Sequence, residues 1–131
     1  MTATPISFTD EIEVINFTDP NLDTWGTNAT VNVNGIQALW AGATDGNGQI
    51  IFQGNNNDVG NIFFEVLFTN NPQGNVNSIV PSVYSLNDTN LDGNVIYQGN
   101  DNEPNVIFFN DLTHPENVSN IGNFIFSEQL P

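Results

Sequence analysis

Lysine, arginine and cysteine are absent from this 131-residue chain, and a single histidine stands beside 15 aspartates and glutamates, for a formal charge of −15. The missing cations exclude phosphate-backbone recognition, which works by displacing counterions with basic side chains, so no nucleic-acid partner is expected. They also argue against P-loop nucleotide chemistry, Schiff-base catalysis, arginine clamps and attachment to anionic membrane surfaces. Without a thiol there is no disulfide framework, cysteine nucleophile, zinc–thiolate site or iron–sulfur cluster. No apolar run approaches the roughly 20 residues of a membrane helix, and no basic stretch followed by an apolar one marks a signal peptide. What is left to this chain is oxygen chemistry.

Hydrophobic residues make up 38% of the sequence and aromatic ones 11%, too many for a disordered acidic tail. Polarity is carried by 24 asparagines more than by ions. The length suits a single domain with a core of its own, residues 1–131. Four Asn-x-Ser/Thr sequons, at Asn16, Asn28, Asn87 and Asn117, arise readily in so Asn-rich a chain and carry little weight.

An internal repeat organises the chain. Asn47–Phe64 aligns without gaps on Asp92–Phe109, an offset of 45 residues, with 9 of 18 positions identical. The reading is therefore an N-terminal β segment over 1–40, a first copy over 43–87 and a second over 88–127. In the N-terminal segment, Thr30–Val33 and Ile36–Trp40 flank Asn34-Gly35, the strongest short hairpin signal, with Val33 opposite Ile36 and Val31 opposite Ala38. The stretch from Ile6 to Phe17 is rich in β-formers and is expected to hold a further strand. Within each copy, Gln49–Gln53 and Asn94–Gln98 predict a short strand. Asp58 and Glu103 then precede apolar residues at helical spacing (Ile62/Val66, Phe108/Leu112) and suit a helix N-terminus, each helix stopping near Pro72 or Pro115. The expected fold is α+β and β-rich overall: N-terminal strands packed with two loop–short helix repeats, with Phe63, Phe64, Phe108 and Phe109 in a shared core.

The second copy opens with Asp88-Thr-Asn90-Leu-Asp92-Gly93-Asn94, which sets side-chain oxygens at loop positions 1, 3 and 5 and a glycine at 6. Alternate residues in a tight turn converge on one centre, as a hard cation wanting six to eight oxygens requires, and this is the first half of a calcium loop. Position 12, an acid in EF-hands, is Gly99 here; the nearest later acids are Asp101 and Glu103. Glu103, which has a counterpart in Asp58, is expected to close the shell, with Asp101 or Asn102 as the lesser candidate. The first copy is degenerate: Ala43 replaces the first acid, leaving Asp45, Asn47, Gln49 and Asp58. The competing reading of either loop is an Asx-rich surface turn without an ion.

Leu39-Trp-Ala-Gly42 leading into the Asp/Asn/Gly loop, then Tyr/Phe-Gln-Gly-Asn with Phe-Phe following, His114-Pro115-Glu-Asn117 and Asn123-Phe-Ile125 together resemble tandem dockerin-like calcium-binding repeats of secreted Bacteroidetes surface proteins, over about residues 36–127. The resemblance implies Ca²⁺ as cofactor, an extracellular setting and a structural or adhesive role. By position it implies ligands at Asp88, Asn90, Asp92, Asn94 and Glu103, and at Asp45, Asn47, Gln49 and Asp58. The expected partners are calcium, copies of the chain itself or other surface proteins, and glycans.

Two further functions are carried beside that one. One is a subunit of a calcium-stabilised filament or sheath that adds its N-terminal strand to a neighbour; the other is a calcium-dependent carbohydrate-binding module stacking sugars on Trp25 or Trp40, against which core packing is the competing role. An enzyme is not expected: a carboxylate pair suffices for glycoside hydrolysis, but the acids here are mostly placed in loops. His114, next to a proline, reads as a capping or surface residue.

Overall fold

The computed structural model describes residues 1–7, 14–69, 74–81 and 84–127. The chain divides into two compact units, one of Met1–Trp40 and one beginning at Ala41.

The first unit is built on an antiparallel hairpin of β1 (Thr30–Val33) and β2 (Ile36–Leu39), in the register Val33↔Ile36 and Val31↔Ala38. Asn34 and Gly35 both take positive φ, 53° and 87°, as a two-residue type I′ turn demands. The Asn32 carboxamide accepts from Gly35 N–H at 2.9 Å and ties the turn to the strand. Trp40 is buried, its indole N–H donating to the Asn28 carbonyl at 2.8 Å. The hairpin's tip stays in water: Val33 and Ile36 are each at least half exposed, so the expected apolar face is only partly covered. The strand expected between Ile6 and Phe17 falls largely on residues 8–13, outside the described residues, and residues 6–7 and 14–17 are not strand. Thr2 instead makes an isolated antiparallel bridge to Thr24.

The second unit runs β3 (Gln49–Ile51), α1 (Asp58–Phe68), β4 (Ile79–Pro81), β5 (Asn94–Ile96), α2 (Glu103–Thr113) and β6 (Ile125–Ser127). Mixed α+β architecture with two helices and short antiparallel strands is thus what the chain adopts. β5 and α2 begin 45 residues after β3 and α1, and their lengths are equal. Each three-residue strand needs a partner, and each finds one that pattern reading left unassigned: β3 pairs with β6 (Ile50↔Phe126) and β4 with β5 (Val80↔Val95).

The helices begin alike. Asn57 and Asn102 are the caps; their side-chain oxygens accept from Gly60 and Asn105 N–H at 2.9 and 3.1 Å, while their amide N–H groups donate back to the Gly54 and Gly99 carbonyls. The cap role falls on the asparagine rather than on the following acid, which is released to point inward.

The core of this unit is mainly aliphatic, with Phe126 as its buried aromatic. Ile50, Ile62, Val66, Val80, Val95 and Ile107 are buried, each contributing on the order of 1.5–3 kcal/mol by leaving water. The aromatic core expected of the Phe-Phe pairs is corrected here: Phe64 and Phe109 are 57% and 58% exposed, and Phe63 and Phe108 are half-buried. Helix geometry explains it, because Ile62 and Val66 lie four apart on one face, and each further residue rotates about 100° away from it. At the flanks Phe63 packs edge-on against Tyr97, and Phe52 packs tilted against Phe108. Gly42, at φ 133°, enters this core where an added Cβ would stand 3.0 Å from Ile107 Cγ1, so both conformation and space require glycine.

Candidate metal centre

The buried stripe of each helix starts with a carboxyl: Asp58, Ile62 and Val66 on α1; Glu103, Ile107 and Asp111 on α2. Since each acid is the first helical residue, its side chain reaches back over the preceding loop, and the two copies use that reach differently.

In the second copy the loop wraps itself around its acids. Asp88, 7% exposed, accepts from Asp92 N–H at 3.1 Å through Oδ1 and from Gly93 N–H at 2.9 Å through Oδ2. Asn90 Oδ1 accepts from Asp92 N–H, and Asp92 Oδ1 from Asn94 N–H, an Asx-turn ladder that turns alternate side chains to one side. Glu103, fully buried, accepts from Ile96 N–H through Oε2. The result is that Asp88, Asp92 and Glu103 each place an oxygen within 4.8 Å of the others. The Asn90 amide group lies among them, donating to Asp92 Oδ2, Glu103 Oε1 and the Asp101 carbonyl at 3.0–3.3 Å. Asn94 lies in β5, its amide turned to Asp92. Of the two lesser candidates, Asn102 serves as the helix cap and Asp101 contributes its carbonyl to Asn90.

Burial, with the Asp92 and Asp88 charges behind it, raises the Glu103 carboxyl from 4.5 to about 7, against the lowering effect of the Ile96 N–H. A carboxyl that ionises so reluctantly beside two others is one that a cation, by neutralising the cluster, would bring fully into its charged form.

In the first copy Ala43 brings no oxygen, and Asp45 and Asn47 form an exposed ladder through Asn47 N–H and Gln49 N–H. Asp58, 1% exposed, is taken up by protein donors: Thr44 N–H at 2.7 Å and Thr44 Oγ1 at 3.0 Å on Oδ1, and Ile51 N–H at 2.8 Å on Oδ2. Burial still raises its pKa above the ordinary aspartate value, these bonds opposing and the Asp45 charge adding to the shift. The shorter side chain of aspartate holds the carboxylate against the backbone donors; the extra methylene of Glu103 carries one oxygen beyond them, towards Asp88 and Asp92.

Composition and spacing do not reveal the threonine hydroxyls that latch each loop to its helix, Thr44 to the Asp58 carbonyl at 2.9 Å and Thr89 to the Glu103 carbonyl at 3.3 Å; their shared offset of 45 residues was the available signal. Trp25, half exposed, lines a largely apolar cavity of about 480 Å³ in the first unit with Phe17, Leu39 and Gln37. Trp40, buried and hydrogen-bonded, has no face to offer a sugar. His114 is buried rather than on the surface, stacked on Phe126 at 4.3 Å; it does hold the C-cap position of α2. Among the described residues no helix is long and apolar enough to cross a membrane. The chain matches no family model, no curated protein and no solved structure.

Proposed function

We propose that residues 88–103 bind Ca²⁺ and that the chain is a calcium-ordered structural or adhesive module of a secreted bacterial surface protein, in the manner of dockerin-like repeats. The observation that carries this reading is the spacing of Asp88, Asp92 and Glu103. Two oxygens held at about 2.4 Å on opposite sides of Ca²⁺ lie about 4.8 Å apart, and neighbouring ligands lie closer; the three carboxyls keep an oxygen of each within 4.8 Å of the others. All donors are oxygens, which suits calcium and excludes soft-metal chemistry. Asn90 completes the shell by turning its amide so that the oxygen, now bonded to Asp92 N–H, faces the ion. Asn94 joins the site through its backbone carbonyl.

The mechanism is electrostatic. Three carboxylates in one loop repel one another; the ion converts that repulsion into attraction, fixes the turn and thereby sets α2 against β5. In the first copy Asp45, Asn47, Gln49 and Asp58 form the weaker site, because Ala43 brings no charge and the Asp58 oxygens are already bonded. Exposed Phe64, Phe68 and Phe109 support the adhesive part of the proposal, since they offer aromatic surface to a partner. The test is calorimetric titration of Ca²⁺ into chelator-treated protein beside Asp88→Ala and Asp45→Ala. Loss of the tighter site in the first variant alone is the expected result; heats indistinguishable from dilution in the parent protein refute the proposal.

A further inference from the structure

Asp111 occupies the position in α2 that Val66 holds in α1, at the inner end of the buried stripe. It is 0% exposed, and neither of its carboxyl oxygens accepts a hydrogen bond among the described residues. A carboxylate in such a place is costly unless hydrogen-bond donors, a cation or a proton compensate it, and with no hydrogen bond made to either oxygen among the described residues the last two remain. Lysine and arginine do not exist in this chain. The one histidine, His114, sits a turn further on, where burial lowers its pKa against the pull of Glu116 and so disfavours the imidazolium, and its Nδ1 accepts from Glu116 N–H. On α1, Glu65 is engaged by Ser85 and Asn87, and β3 and β6 carry no titratable residue. Glu103 lies eight residues up the helix, about 12 Å away along its axis.

What Asp111 supports is the segment that follows. Its carbonyl accepts from Asn117 Nδ2 at 2.7 Å, and Asn117 in turn holds both the N–H and the carbonyl of Ile121. Asn120 reaches back to the Leu112 carbonyl, and His114 stacks on Phe126 of β6, which pairs with β3. The backbone N–H of Phe124 faces the buried carboxyl.

We propose that Asp111 is a proton-operated brace: a buried carboxylic acid that is neutral in mild acid, whose ionisation works against the packing of residues 114–127 on α2, so that this segment is firmest in mild acid and loosens as the pH rises to neutrality. Burial, opposed by the Phe124 N–H, moves the group from 3.8 to about 6. The sign follows: the folded form holds the proton more tightly than the unfolded one, so the contribution to stability is full below the unfolded value and declines as pH rises to about 6. The brace is independent of the calcium site.

The test is carboxyl-detected ¹³C NMR titration of Asp111 in the full chain, with excess Ca²⁺ and with chelator, together with amide exchange of Phe124–Ser127 in the parent and in Asp111→Asn. A titration midpoint at about 6 in both media is expected. Protection is expected to fall about tenfold between pH 5 and 7.5 in the parent and to stay level in the variant. A midpoint at the ordinary aspartate value, a midpoint that moves with Ca²⁺, or the same fall in both proteins overturns the proposal. The titration of the parent decides the matter even if the variant does not fold.

Discussion

Replacing Asp92 by asparagine should stabilise the metal-free protein and weaken its response to calcium. Asp92 is the exposed member of the acidic group, with oxygens of Asp88 and Glu103 within 4.8 Å. At that separation a pair of unit charges repels by about 0.9 kcal/mol in the dielectric of water and about 3.5 kcal/mol at an effective dielectric of about 20. Exposure places Asp92 near the lower figure. With two neighbours, the relief on removing its charge is therefore roughly 1–2 kcal/mol. Asparagine keeps Oδ1, so the bond from Asn94 N–H survives. For a unit of this size the gain corresponds to a rise in melting temperature of about 5–10 °C. Calcium affinity should fall by about ten- to a hundredfold, since one of three charged ligands is gone. The assay is differential scanning calorimetry at pH 8.5, where Glu103 is ionised, with chelator and then with millimolar Ca²⁺. A lower metal-free melting temperature in Asp92→Asn, or an undiminished calcium-induced rise, refutes the electrostatic account of the loop.

Two more outcomes follow from the same acids. Glu103, raised from 4.5 to about 7, stabilises the metal-free fold most below 4.5 and loses that contribution, on the order of 3 kcal/mol, as pH climbs to about 7. Calcium requires the ionised form, so the calcium-induced shift in melting temperature should grow between pH 5.5 and 8; a flat profile contradicts the role given to Glu103. Asp58→Asn places an amide N–H₂ against Thr44 or Ile51 N–H and should cost about 1–3 kcal/mol in urea unfolding, while the affinity of the tighter calcium site measured by titration stays as in the parent.

Much of the second unit was legible because its signals are local. A 45-residue self-match, glycines after Asx-rich turns and an acid before an i, i+4 apolar pair located both strands and both helices, and Asn34-Gly35 located the hairpin. What was not legible depends on packing between distant segments. β4 and β6 are three residues long, and nothing in Ile79–Pro81 or Ile125–Ser127 announces its partner. The Phe-Phe pairs read as core on hydrophobicity alone, yet the stripe is occupied by Ile62 and Ile107, which leaves Phe64 and Phe109 facing water. Asp111 in a core position contradicts every compositional expectation for an aspartate. The alignment held one clue, that its counterpart is Val66.

The absence of basic residues gives these differences one physical logic. A folded chain that buries carboxyls without lysine or arginine must quiet them by other means. Asp58 is quieted by dipoles: backbone and hydroxyl donors converge on both its oxygens, and aspartate is short enough to stay among them. Asp111 accepts no hydrogen bond among the described residues and has only the Phe124 N–H facing it, and a proton is the ligand proposed for it. Glu103 keeps Oε2 on the Ile96 donor and still reaches the group of Asp88 and Asp92, where backbone N–H groups and the Asn90 amide face three acids with no cationic side chain among them. A divalent cation would neutralise such a group at neutral pH, and it is on that ground that calcium is proposed for the second loop first. The change from aspartate to glutamate at the first turn of the helix, together with Ala43 against Asp88, separates a loop with one buried acid met by its own donors from a loop whose three acids gather at one point.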